Sequence, residues 1–111
     1  MRRETLGQLE ILLMLAVARL GEDAYGAAIQ KALEDTAGRS ASIATIYVTL
    51  VRLEKKGLVT SRREEPTPVR GGKSKRHFRL TAKGVEALVD SRAALEKMWR
   101  SVSRLPEFKT R

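Results

Sequence analysis

Two periodicities divide the chain: helical spacing of apolar residues near both ends and in the middle, and strand-like alternation in a stretch between. The first helix is predicted to begin after Thr5, which forms a capping box with Gln8, and to run to about Leu20 before Gly21. Apolar residues cover most of its circumference, so we expect it to be buried on several sides. These residues are Leu6, Leu9, Leu12, Leu13, Leu15, Ala16 and Leu20.

Two further helices are predicted before the period changes. Asp23 is placed to cap one of them over about residues 24–36, which Gly38 ends. Ser40 or Ser42 is placed to cap the next, which Gly57 ends. Two short helices before a third helix with a single apolar stripe favour a helix-turn-helix. That stripe consists of Ile43, Ile46, Tyr47, Leu50 and Leu53.

The period changes to two after Gly57. Residues 58–63 and 74–80 predict two strands, and in the second strand Arg76 and Phe78 share one face while His77 points outward among cations. The residues between the strands fit only an irregular loop, because they include Pro66, Pro68, Gly71 and Gly72. A strand, a basic loop and a second strand predict a β-hairpin with a long tip, which is the layout of a wing.

Thr81 is placed to cap a last helix that runs to about Leu105, before Pro106. Its apolar stripe is heptad-like, with Arg92 in one seam position, and it consists of Val85, Leu88, Leu95, Trp99 and Val102. A domain of this size could not bury so long a stripe, so we interpret the helix as a dimerisation element. The alternative, packing on its own wing and first helix, stays open.

The predicted fold is therefore mainly α with a small β-hairpin. Residues 1–80 form a winged helix-turn-helix domain, residues 81–105 form a C-terminal dimerisation helix packed on the same domain, and residues 106–111 form a short polar tail. The expected dimer interface combines residues of the first and last helices: Leu9, Leu12, Leu13, Leu88, Leu95, Trp99 and Val102.

The charge of the chain is concentrated in its middle. The 111 residues include 22 Lys and Arg against 13 Asp and Glu, a formal net charge of +9, and residues 39–79 alone carry +8 of it. Such concentration indicates a polyanionic partner, and nucleic acid fits the layout better than an anionic membrane. A basic face that is merely solvated is the alternative.

Two groups of residues suit double-stranded DNA. Short hydroxyls and an arginine on the third helix suit the major groove, and flexible cations of the wing suit the phosphate backbone. The first group consists of Ser42, Thr45, Thr49 and Arg52, with Lys56 one turn further, and the second includes Lys73, Lys75 and Arg76.

Catalytic and metal sites find little support in the composition. The chain has no cysteine and a single histidine, so a metal site would need carboxylates alone. Gly72-Lys73-Ser74 is not a P-loop, because Thr67 stands where the motif needs its first glycine. We expect neither an enzyme nor a bound cofactor.

The absence of thiols fits a reducing cytoplasm. The apolar run at residues 11–18 follows Arg2-Arg3 as in a secretory signal, but acidic residues precede it and it is too short to span a bilayer. We therefore expect a cytoplasmic protein with no membrane partner.

Several strings in this order resemble the PadR family of transcriptional regulators, over about residues 9–105. They are Tyr25-Gly26, Ala44-Thr45-Ile46-Tyr47, the run LVRLEKKGLV at residues 50–59, and RLTAKG at residues 79–84 after a Gly-Gly-basic wing. Family members often have Gly at the position of Ala44 and Pro at that of Val48, so the operator is expected to differ.

The resemblance implies a homodimer that represses transcription from a pseudo-palindromic operator and a role for Tyr25 near the DNA backbone. In drug-sensing members, aromatic residues of the last helix flank ligands between the subunits. Trp99 is thus a candidate for stacking on a small aromatic effector, or for packing in the dimer core. Two other functions remain open: a non-specific nucleic-acid-binding winged-helix protein, and a protein–protein adaptor that uses the long last helix.

Overall fold

The computed structural model of the chain describes residues 5–64 and 75–109. Within these ranges the elements are α1 (Gln8–Leu20), α2 (Gly26–Ala37), α3 (Ile43–Lys55), β1 (Val59–Arg63), β2 (Arg76–Leu80) and α4 (Ala82–Val102). Short 3₁₀ turns occupy Gly21–Asp23 and Pro106–Phe108. The mainly α fold with a small β-hairpin is confirmed. Every described helix is too short or too polar to span a lipid bilayer.

Two predicted helix starts are wrong. The N-cap position of α1 is Gly7, whose N–H donates to Glu10 Oε1 at 2.8 Å, so Glu10 takes the role predicted for Gln8. Asp23 does not cap α2, because it belongs to the 3₁₀ turn and Tyr25 holds the N-cap position. In both cases the helix starts two residues further along the chain than predicted.

Three other predicted boundaries are confirmed by their hydrogen bonds, whereas α4 ends at Val102 and not at about Leu105 as predicted. Ser42 Oγ accepts from the N–H of Thr45 at 3.0 Å, and Thr81 Oγ1 accepts from the N–H of Gly84 at 2.9 Å. Gly38 ends α2 in the left-handed region, with φ of 63°. These side chains and this glycine satisfy backbone groups that a helix end leaves without partners.

The hydrophobic core lies where α1, α2, α3 and the hairpin meet. Its largest fully buried side chains are Leu13, Met14, Val17, Ile29, Leu33, Ile46, Leu50, Leu53, Leu58, Val59 and Phe78. Leu13 is fully buried within its own chain, so its predicted place in a dimer interface is wrong. Leu9 and Leu12 are half-buried, and Leu15 is the exposed leucine of α1.

The two strands pair antiparallel, with Val59 opposite Leu80 and Arg63 opposite Arg76. A third chain segment joins the free edge of β2: Tyr25 forms an isolated bridge with His77, and the N–H of Phe78 donates to the carbonyl of Ala24 at 2.9 Å. The hairpin is therefore attached directly to the start of α2.

α4 contacts the domain through its first two turns, where Ala87 and Leu88 pack against the core. Gly84 is buried against the carbonyl of Leu58, where an added Cβ would overlap the oxygen. Beyond these two turns the helix leaves the core, and Leu95 and Trp99 are more than half exposed. Within the predicted polar tail, a 3₁₀ turn brings the Phe108 ring edge-on to Trp99, with centroids 6.0 Å apart.

Candidate nucleic-acid interface

One side of α3 faces away from the core. Residues 46, 50 and 53 are fully buried, whereas five others are exposed and lie within an arc of about 100° on the helix. We call these five residues the α3 flank: Ala44, Thr45, Val48, Arg52 and Lys55.

Thr49 does not belong to the α3 flank, so its predicted place at the DNA is wrong. Its side chain is only 6% exposed, and its hydroxyl donates to the carbonyl of Thr45 at 2.8 Å. A threonine hydroxyl can donate a hydrogen bond to a backbone carbonyl one helical turn earlier, and this bond allows the side chain to face the core.

Two hydroxyls meet at the start of α3. Ser42 Oγ donates to Thr45 Oγ1 at 3.0 Å while it caps the helix through the N–H of Thr45. Both side chains are exposed. The Thr45 hydroxyl then keeps its own proton for an outside acceptor, such as a phosphate oxygen or a base edge.

Arg76 was predicted to be a wing cation that contacts DNA, and in the structure its guanidinium is partly buried in contacts within the domain. Its guanidinium bonds Glu54 Oε1 of α3 at 2.7 Å and Ser61 Oγ of β1 at 3.0 Å, and the Ser61 hydroxyl donates to Glu54 Oε2 at 2.9 Å. It also lies over the ring of Phe78. Arg76 therefore fastens the hairpin to α3.

His77 was expected to point outward, but its side chain is only 12% exposed. One ring nitrogen lies 2.8 Å from the carbonyl oxygen of Glu22, and the other lies 3.1 Å from a carboxylate oxygen of Glu64. Tyr25 packs edge-on to this ring. His77 thus joins the wing to the turn that precedes α2.

Tyr25 is half-buried, and the Lys75 ammonium lies over its ring at 4.1 Å from the centroid. Lys75 is exposed at the point where β2 begins, so it can reach solvent while its stem follows the aromatic face. The structure brings these two predicted site residues together on the wing side of the domain. Lys73 lies outside the described residues.

Lys56 does not belong to the α3 flank, because its side chain bonds α1 instead. Its ammonium pairs with Glu10 Oε2 of α1 at 3.5 Å and is about one-third exposed. Glu10 is thus shared between the start of α1 and the end of α3.

The remaining cations of the described hairpin are exposed, and they are Arg62, Arg63, Lys75 and Arg79.

Periodicity alone did not assign Ala44, Val48 and Lys55 to the α3 flank, although the family resemblance had already linked Ala44 and Val48 to the operator. A projection at 100° per residue places Val48 between Ala44 and Arg52. The signal was present, but apolar residues on a helix are ordinarily assigned to the core. The flank combines hydroxyl, apolar and cationic groups on one rigid helix, which is the chemistry of a surface that meets base edges and phosphates.

The described residues bring together no group of three or more His, Asp or Glu side chains able to hold a metal ion. They also leave no buried side-chain nitrogen or oxygen without a hydrogen-bond partner. Within these residues, every buried side-chain nitrogen or oxygen is therefore hydrogen-bonded.

Comparison with known structures gives the same fold. A PadR-like transcription factor from Bacteroides fragilis aligns with a TM-score of 0.72 at 26% identity, covering 89% of this chain and 90% of that one. A PadR family regulator from Eggerthella lenta aligns with a TM-score of 0.68 at 31% identity, covering 88% and 85% of the two chains.

A PadR from Bacillus subtilis, solved in complex with operator DNA, shares the fold with a TM-score of 0.59 at 24% identity. The alignment covers 74% of this chain and 46% of that one. A comparison with curated protein sequences gives no match.

The sequence also matches a family model. The Transcriptional regulator PadR-like family covers residues 14–90, from the middle of α1 to the first half of α4. This range includes the helix-turn-helix, the wing and the turn that packs Gly84 on Leu58. The chain belongs to the PadR-like family of transcriptional regulators, which are transcription factors and not enzymes.

Proposed function

We propose that this regulator binds a pseudo-palindromic operator in double-stranded DNA as a homodimer and represses transcription in the cytoplasm. The observation that carries the proposal is the α3 flank, an exposed surface of hydroxyl, apolar and cationic groups on a helix whose opposite side is buried in the core. One such flank per protomer would enter the major groove, with half-sites about 34–36 Å apart.

The wing supplies the second contact with DNA. Its exposed cations lie on a hairpin that Arg76 fastens to α3, so they would follow the helix to the adjacent phosphates. Phosphate contacts set register and affinity and carry no sequence information themselves. The operator complex of the Bacillus subtilis relative supports duplex DNA as the ligand.

The apolar stripe of α4 supports a homodimer. Val85, Leu95 and Trp99 are between 48% and 60% exposed in the single chain, and Leu88 and Val102 are half-buried. Exposed apolar residues that follow a heptad-like spacing are typical of a helix that packs on a second copy. Packing of α4 on its own domain covers only the first turns, which disfavours the intramolecular alternative.

Trp99 is the candidate for an effector site between the subunits. The ring is 60% exposed and Phe108 meets it edge-on, so a flat aromatic molecule could stack on its free face once a second α4 is present. Release of DNA by such a molecule is the regulation that we propose.

Selection of DNA fragments by the purified protein tests the proposal. A randomised duplex pool and the region upstream of its own gene should yield a two-fold symmetric sequence that survives excess unrelated duplex at physiological salt. If any unrelated duplex displaced the selected duplex equally well, the protein would be a non-specific nucleic-acid binder. A dimer with no affinity for duplex DNA would indicate an adaptor.

A further inference from the structure

Val48 stands at the centre of the α3 flank, with Ala44 one turn before it and Arg52 one turn after it. Its side chain is 57% exposed, although it is apolar and β-branched. Ala44 is exposed as well, and residues four apart on a helix are surface neighbours. The flank thus carries a short apolar strip between its hydroxyl and its cationic groups.

Helix formation does not explain a valine at this position. A β-branched side chain loses rotamer freedom in a helix, and alanine or a long polar residue would suit an exposed site better. A single exposed valine is common on protein surfaces, so exposure alone shows little. The position of Val48 is what indicates a role in DNA binding, because the surrounding residues form the surface proposed to face base edges.

We propose that Val48, with Ala44 beside it, reads the C5-methyl group of a thymine in each half-site. Base edges in the major groove present hydrogen-bond donors and acceptors, and the thymine methyl is the apolar group among them. Thr45 and Arg52 border the strip and can bond the neighbouring polar edges or phosphates. This inference rests on the proposed binding of duplex DNA.

The contact would contribute specificity rather than bulk affinity. Cations on the flank and on the hairpin bind the phosphates of any DNA sequence. The apolar strip adds binding free energy only where a thymine methyl group excludes water from Val48. Burial of one methyl group changes affinity about fourfold. A cytosine at this position lacks the methyl group, so the protein would bind such a site more weakly.

Substitution of deoxyuridine for thymine tests the contact, because it removes the methyl and keeps the base pair. The probe is the duplex selected from the randomised pool, with each thymine replaced in turn and in symmetric pairs. We expect one symmetric pair to weaken binding of the wild-type protein at least fourfold, and thymines outside the half-sites to have no effect.

Variants of Val48 complete a double-mutant cycle. Val48→Ala improves helix propensity, so it should fold, and Val48→Ser provides a second, polar replacement. For both variants we expect the response to deoxyuridine at that pair to fall below about 1.5-fold, since the partner of the methyl is gone. Val89→Ala, an equally exposed valine on α4, should keep the wild-type response.

Each outcome bears on one of the two proposals. If duplex DNA is bound and selected but no thymine responds to deoxyuridine, or if the Val48 variants respond as the wild type does, the thymine contact is overturned and the operator-binding function stands. If the pool yields no preferred sequence, the proposed function fails and the thymine contact fails with it.

Discussion

The Glu54 carboxylate of α3 and the Arg76 guanidinium of β2 lie 2.7 Å apart, and Ser61 of β1 bonds both of them. Three elements that are separate in sequence thus meet in one hydrogen-bonded cluster. The cluster sets the position of the wing relative to the helix that carries the α3 flank.

Arg76→Ala should therefore act on stability and not on phosphate contacts. We expect the free energy of unfolding to fall by about 1–2 kcal/mol, since the pair is charge-assisted but one-third exposed. Urea unfolding measures this change. The salt dependence of DNA binding should keep its wild-type slope, whereas a direct phosphate contact would reduce that slope by about 1.

Gly84→Ala should destabilise the fold by about 2–4 kcal/mol, because the new Cβ meets the backbone oxygen of Leu58 and neither backbone can easily move. Alanine would otherwise favour a helix, so the sign of the effect is informative. Thermal unfolding followed by circular dichroism measures it. Glu86→Ala, an exposed change in the same helix, should leave the midpoint within 1 °C or so.

Arg52→Ala and Lys75→Ala should separate sequence reading from phosphate binding. Loss of a bidentate contact from Arg52 should reduce the binding free energy by about 1–3 kcal/mol and relax the preference at one base position. Loss of Lys75 should instead weaken binding to all sequences alike. Fluorescence anisotropy on selected and shuffled duplexes distinguishes these effects. Arg104→Ala, an exposed arginine beyond the end of α4, is the control. Uniform loss for both variants would contradict the division of roles.

Leu95→Glu should convert the dimer into monomers, because a charge would stand in the middle of the proposed seam. Ala94→Glu places the same charge on the neighbouring, exposed residue and should leave the dimer intact. Sedimentation velocity separates the two states. A wild-type protein that sediments as a monomer, or a Leu95→Glu variant that remains a dimer, would refute the assignment of α4.

Local signals in the sequence predicted the helix ends at Gly38, at Ser40 or Ser42, and at Thr81, because the hydrogen bonds that form each end join residues only a few positions apart. The start of α1 was ambiguous, since the Thr5–Gln8 and Gly7–Glu10 pairs offered two capping arrangements. The alternation of β2 correctly placed Arg76 on the face of Phe78, and this face leads to the core.

Partners distant in sequence could not be predicted in the same way. Arg76 bonds a residue 22 positions earlier, and His77 bonds one 55 positions earlier. Whether a cation or a histidine on a wing is available to DNA depends on such partners. Thr49 illustrates a related limit, because a threonine whose hydroxyl bonds its own helix is compatible with either side of that helix.

Glu10 makes two bonds with different ends of the domain, one to the N–H of Gly7 and one to the ammonium of Lys56. A rearrangement that slides α1 along the end of α3 must therefore stretch the ion pair or release the first turn of α1. Besides the core packing that α1 and α3 share, this carboxylate thus gives a displacement of α1, by assembly or by a bound molecule, a polar route to the end of the helix that carries the α3 flank.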